Sequence, residues 1–190
     1  PTQRDLYQVV LGAQAAAIAL VRPGTRYRDV HLAAARAIVM GLVDLGILRG
    51  QVDALVEDGA QALFFPHGIG HLLGLDVHDM EDLGDRAGYA PGRTRSSQFG
   101  LSYLRLDREL VPGMLVTIEP GFYQVASLLQ NPSRVGLSDR ALDRATLAKF
   151  SDVRGIRIED DVLVTEAGCK VLTAALPKSC DEIEALVGPR

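Results

Sequence analysis

Three of the four histidines in this 190-residue chain fall within twelve residues, in Phe65-Pro66-His67-Gly68-Ile69-Gly70-His71-Leu72-Leu73-Gly74-Leu75-Asp76-Val77-His78-Asp79. His67 and His71 have the i, i+4 spacing of a zinc-binding helix. Gly68, however, stands where such a helix carries its glutamate, and Gly68 and Gly70 together disfavour helix. An extended segment fits better. On a strand His67 and His71 share a face, and His78 joins them only through a bend of the kind Gly74 permits. The alternative is a set of hydrogen-bonded core or surface histidines. His31, alone on a helical segment, reads as ordinary surface or core-edge.

Two further segments bring carboxylates into apolar runs. In Val116-Thr117-Ile118-Glu119-Pro120-Gly121, Glu119 is costly to bury unless paired, hydrogen-bonded or bound to metal; otherwise it is a strand-end surface residue. In Gly155-Ile156-Arg157-Ile158-Glu159-Asp160-Asp161 the isoleucines face one side and Arg157 and Glu159 the other. By itself this segment reads as a solvated face carrying an ion pair, with Asp160 and Asp161 as solvent charges at the strand end. Together the three segments place one His and two Glu on neighbouring strands. That hard N/O set suits Mn, Co, Zn or Fe(II) better than a thiolate-loving metal. A carboxylate can bridge two ions, and such a paired site lowers the pKa of a shared water enough to make hydroxide near neutral pH.

The elements that must position these groups are legible in the periodicity. Leu6, Val9, Val10, Ala13, Ala17 and Leu20 predict a helix over 2–21, with Thr2 as N-cap and Pro23-Gly24 as its stop. A second helix runs from Thr25 to about Leu45. Residues 84–100, rich in Gly, Arg and Ser, read as a surface loop. Met114 to Glu119 alternates as a strand after the Pro112-Gly113 turn. Residues 125–150 read as a loop and a helical piece. Gly155 to Val164 reads as one strand, returning antiparallel over Cys169 to Thr173. Ser179 and Glu182 form a capping box opening a last helix, Cys180 to Val187. Helices first and antiparallel strands after make the fold class α+β.

Composition sets the outer limits. Hydrophobic residues are 47% and charged residues 23%, which excludes a disordered chain. A formal charge of -4 argues against a nucleic-acid partner held by bulk charge. The most apolar run, Ala15 to Val21, is too short to span a bilayer, and no signal peptide is visible. Cys169 and Cys180 are too few for a disulfide scaffold, so reduced thiols and a cytoplasmic location are expected. The chain starts at Pro1 without a Met, which leaves a removed Met or the back part of a longer protein.

HGIGHLLGLDVHD, TIEPGFY and GIRIEDD, in this order and spacing, resemble the pita-bread metallopeptidases, the family of methionine aminopeptidase, aminopeptidase P, prolidase and creatinase. The resemblance runs over nearly the whole chain. It implies the C-terminal part of a pita-bread fold, an antiparallel sheet covered by helices, and cleavage of Xaa-Pro bonds by a bridging hydroxide on two divalent ions. Mn is the leading expectation, with Co, Zn or Fe as alternatives. Family correspondence makes His71, Glu119 and Glu159 metal ligands, with Glu159 bridging. It makes His78 the contact to the scissile carbonyl, Glu119 and Arg157 catalytic, His67 the proline side of the pocket and Tyr123 a neighbour of the site. The insertion before the TIEPG strand resembles prolidase. By that resemblance Arg105 binds the free carboxylate of a dipeptide, a task for which a guanidinium fork is suited; the alternative is a surface Arg on a polar loop.

The family pattern also holds two Asp ligands and another His upstream of the first helix matched here. Asp5 and Asp29 lie on helices and fit neither position. The expectation is therefore that residues 1–190 are the C-terminal portion of a catalytic domain. Its N-terminal domain and first half would lie outside this chain, and it would be a homodimer when complete. The implied partners are an Xaa-Pro dipeptide or short peptide and the N-terminal portion of the same protein. The competing readings are an Xaa-Pro aminopeptidase acting on longer peptides, and an inactive pita-bread binding module or fragment.

Overall fold

Apolar residues at three- and four-residue steps produce the two long helices, α1 (Thr2–Ile18) and α2 (Tyr27–Asp44), in the computed structural model, which describes residues 2–135 and 137–188. Leu6, Val10, Ala13 and Ala17 of α1 share one fully buried cluster with Val30, Ala34, Ile38 and Leu42 of α2. The helices come close because Gly41 lacks a side chain: a Cβ there would lie 2.5 Å from Val9 Cγ2.

Both helices are shorter than the periodicity predicts. Thr25 does not start α2, because the backbone around it is committed elsewhere. The Leu110 N–H donates to Thr25 O (2.8 Å) and the Tyr27 N–H to Arg108 O (3.0 Å). Arg26 stays extended, its guanidinium held two-pronged by Asp107 at 2.6 and 2.8 Å. Tertiary pairing overrides helix propensity here.

Short helices fill the connections: α3 (Val52–Asp58), α4 (Asp85–Gly88), α5 (Ala126–Leu129) and α6 (Arg144–Ala148). Two strands, β1 (Leu115–Ile118) and β2 (Gly121–Tyr123), precede α5. After α6 come β3 (Gly155–Arg157), β4 (Asp160–Val164), β5 (Cys169–Val171) and the last helix, α7 (Cys180–Val187). The Ser179–Glu182 capping box opens α7 as expected. Among the described residues no helix is long and apolar enough to cross a membrane.

The predicted strand over 155–164 is two strands in two ladders. One sheet has the order β1-β4-β5, all antiparallel, and β2 pairs with β3 in a second. Pro120 has no N–H to give a ladder, so pairing breaks between β1 and β2 and, opposite, between β3 and β4. The register survives the break. Ile118 pairs with Asp160 and Gly121 with Arg157, so Glu119 stands opposite Glu159 and Pro120 opposite Ile158. On the other side of β1, residues 69–73 run antiparallel as an irregular strand. The Thr117 N–H donates to His71 O (3.0 Å) and the Glu119 N–H to Ile69 O (2.7 Å).

Two charges lie deeper than their positions predict. Asp160 is 2% exposed, not a solvent charge. Its carboxylate accepts from Thr173 Oγ1 (2.5 Å) and pairs with Lys178 Nζ (3.0 Å), which offset the cost of burial. His31 is a core residue at 1% exposure, its ring 5.2 Å from that of Phe65. Residues 84–100 are not wholly a surface loop either. Gly88 and Tyr89 are buried, and Tyr89 Oη donates to Leu104 O at 2.8 Å.

Candidate functional site

The break in the double ladder sets two carboxylates directly against each other. Cross-strand like charges are destabilising unless something of opposite sign intervenes. His71 enters the same place from the irregular strand. Ligand atoms of His71, Glu119 and Glu159 all lie within 4.8 Å of one another. The alternation expected of Arg157 and Glu159 holds across the break.

His71 and Glu119 are tightly oriented. The Nδ1–H of His71 donates to Leu72 O (2.8 Å), which turns the Nε2 lone pair toward Glu119 Oε1 at 3.2 Å. Thr117 ties both residues: its Oγ1 donates to Glu119 Oε1 (3.1 Å) and accepts the His71 N–H (3.1 Å). Tyr27 Oη donates to Thr117 O at 2.5 Å and braces the strand from α2. Gly70 makes the approach possible, since a Cβ there would sit 2.1 Å from Thr117 O.

Two acceptors facing each other need a proton or a cation between them. Burial works against a charged His71 ring, but the bonds to Glu119 and Leu72 outweigh it and raise its pKa. Burial likewise opposes a charged Glu119, and His71 and Arg157 outweigh it, lowering its pKa. Glu159 moves the other way. Desolvation first, and the Glu119 charge second, raise its pKa. The set therefore fits a divalent cation. It offers one oriented imidazole and two opposed carboxylates, one of them held ionised, and no thiolate, a hard N/O combination.

Arg157 links this set to the next wall. Its Nη1 lies 3.0 Å from Glu119 Oε2, its Nε donates to Tyr123 Oη (2.6 Å), and its Nη2 lies 3.3 Å from His67 Nε2. His67 can accept that bond because its Nδ1–H is given to Gly68 O (2.7 Å). Burial, chiefly, lowers the His67 pKa. The His67 ring stands edge-on to Phe65 and Tyr123, with centroids 4.8 and 5.4 Å away.

The opposite wall carries His78 and Arg105. The His78 ring is T-stacked on His71 at 4.4 Å. Its Nδ1 lies 3.0 Å from Glu81 Oε2 and 3.2 Å from Arg105 Nη1, and Arg105 pairs with Glu81. An open cleft of about 600 Å³ runs between the walls, bordered by His67, His71, His78, Arg105, Glu119 and Arg157. Of the expected site residues, His67, His71, His78, Arg105, Glu119 and Arg157 line this cleft; Tyr123 bonds Arg157, and Glu159 lies beside His71 and Glu119. Thr117 and Glu81 join the site beyond the residues that the sequence motifs mark. The i, i+2 spacing of Thr117 to Glu119 on a strand was a usable signal. Glu81, inside an acidic stretch, gave none.

Residues 1–166 match the profile of metallopeptidase family M24. The chain belongs to that family. It is 40% identical to the human Xaa-Pro dipeptidase over 187 residues, covering 96% of this chain and 36% of that protein. It is 36% identical to a probable Xaa-Pro aminopeptidase pepP of Talaromyces marneffei, covering 98% and 38%. Among solved structures it resembles aminopeptidase PepP of Pseudomonas aeruginosa, with a TM-score of 0.70 and 38% identity over 98% of this chain and 34% of that one. Proline aminopeptidase P II from Yersinia pestis gives 0.71 and 37%, over 98% and 35%. The α+β architecture is thus that of the pita-bread fold. The chain spans about 36% of the length of the human relative.

Proposed function

We propose that this chain carries metal-binding and substrate-binding residues of an enzyme that hydrolyses Xaa-Pro peptide bonds, dipeptides preferred. The observation that supports it is the meeting of His71, Glu119 and Glu159 within 4.8 Å beside a cleft walled by histidine and arginine. On this reading the chain is the C-terminal portion of a catalytic domain. Upstream sequence of the same protein supplies the remaining ligands, and the complete protein is a homodimer.

His71, Glu119 and Glu159 are the residues that would hold metal. Two divalent ions, manganese foremost, supply Lewis acidity to a carbonyl and lower the pKa of water. The chain's own groups do the rest. The proline imide has no N–H, so its recognition depends on shape, and the His67 ring, packed edge-on against Tyr123, offers a wall for the pyrrolidine. His78, at the mouth, donates to the scissile carbonyl oxygen as charge develops there. Arg157 keeps Glu119 oriented and ionised, and a Glu119 oxygen carries the released proton to the leaving proline nitrogen. Arg105 grips the terminal carboxylate with its guanidinium fork.

A second reading, cleavage of longer Xaa-Pro peptides, is favoured by one observation: Arg105 is already engaged by Glu81. Native mass spectrometry with added Mn²⁺, beside release of the N-terminal Xaa from an Xaa-Pro dipeptide and an Xaa-Pro-Yaa tripeptide, tests both. Metal uptake with dipeptide turnover supports the first reading, and turnover of the tripeptide alone supports the second. Activity that survives Glu159→Gln sinks the dinuclear mechanism.

A further inference from the structure

Three guanidiniums border the cleft, and they are held differently. Arg157 is paired with Glu119, whose side chain is 9% exposed. Arg95 is engaged by Asp85 and by the carbonyls of Ser102 and Leu104. Arg105 is paired with Glu81, and there both side chains are open to solvent, at 42% and 48% exposure. The same Glu81 oxygen lies 3.0 Å from His78 Nδ1.

The segment that carries Glu81 is loosely anchored. Leu75, Val77, Met80 and Leu83 point their apolar side chains to solvent. Met80 has φ 61°, the left-handed region that a side chain disfavours. Segments with few buried contacts open at low free-energy cost, and exposed ion pairs add little to hold them.

We propose that Glu81 is a specificity-determining residue: its carboxylate occupies the Arg105 guanidinium and the His78 ring, and a peptide with a free terminal carboxylate binds by displacing it. This rests on the Xaa-Pro peptidase reading above. Exchanging one carboxylate for another preserves the charge-assisted hydrogen bonds of Arg105. A carboxamide end has no charge with which to compete, so Glu81 stays in place beside it. Glu81 therefore sets a threshold that weakens free-acid dipeptides selectively and leaves other peptide ends untouched.

The test is steady-state kinetics of the full-length, metal-loaded protein on one Xaa-Pro dipeptide and on its C-terminal carboxamide. Wild type, Glu81→Gln, Arg105→Gln and the double variant are compared. Glu81→Gln is expected to lower KM for the dipeptide about 2- to 5-fold, the scale of an exposed ion pair. KM for the carboxamide is expected to stay within about 2-fold. The gain must vanish in the Arg105→Gln background, because the two residues act on one another. Equal change on both substrates, no change, or a gain that persists without Arg105 overturns the proposal. Wild type that cleaves neither substrate overturns the peptidase reading itself, and that is visible before any variant is compared.

Discussion

The two walls of the cleft are built on opposite principles. On one, His71 and Glu119 are buried, each fixed by hydrogen bonds to neighbouring backbone or to Thr117, and braced through Tyr27 from a packed helix. On the other, His78, Glu81 and Arg105 are half-exposed and hold mainly one another. The first wall can keep donor atoms in one geometry before anything binds, which metal ligation demands. The second can exchange partners, as the proposed turnover of different peptides would require. Rigidity is spent where charge must be concentrated, and looseness is kept where ligands enter.

The sharpest break is on the rigid wall. Glu159→Gln leaves Glu119 with no opposed carboxylate and removes a candidate ligand. Metal affinity should fall by more than about 100-fold, beyond the usual loss for an outer partner, as read by titration with Mn²⁺. Retained affinity would remove Glu159 from the ligand set. Next is Gly70→Ala, whose Cβ would sit 2.1 Å from Thr117 O and 2.4 Å from Tyr27 Oη. Overpacking against backbone should cost about 1–3 kcal/mol or more, seen in chemical denaturation, together with metal affinity.

The rigid wall also has a pH signature through the core beneath it. Burial lowers the His31 pKa from 6.5 to about 3, so the native state keeps this ring neutral. At pH above 6.5 the group contributes no pH dependence. Below it the unfolded chain takes up a proton that the native state refuses, so stability falls as pH drops and levels off near pH 3. The slope should be about 1.4 kcal/mol per pH unit from this group alone. His31→Leu should flatten that part of the curve; an unchanged slope would show that His31 is not the titrating group.

Smaller effects sharpen the contrast. Thr117→Val keeps shape but removes the tether between His71 and Glu119, and should weaken metal binding about 10-fold, within the range of outer-shell changes. On the loose wall, Val77→Ser should alter thermal stability by less than about 0.5 kcal/mol, as exposed positions do. A large loss there would mean that the segment is anchored after all.

How much could be read beforehand follows the range of the interaction involved. The Ser179–Glu182 cap and the alternation of Arg157 with Glu159 are local, and both held. The start of α2 lies later than its periodicity suggests because residues 24–27 pair with 108–110, about eighty positions away. The run 155–164 looked like one strand because its break is caused by Pro120 on the partner, not by a residue of its own. Asp160 and His31 are buried against the sequence expectation for the same reason. Whether a polar residue is buried depends on what the rest of the chain brings to it, here Thr173 and Lys178 for Asp160 and Phe65 for His31.

The sequence by itself determined the types and order of the candidate ligand residues and the side of each strand they occupy, because side-chain alternation is a property of the local backbone. Only the tertiary structure decided that Glu119 stands opposite Glu159, that Thr117 serves both His71 and Glu119, and that Glu81 has claimed Arg105. Those are relations between distant segments, and register across a proline-broken ladder is settled only when both strands are in place.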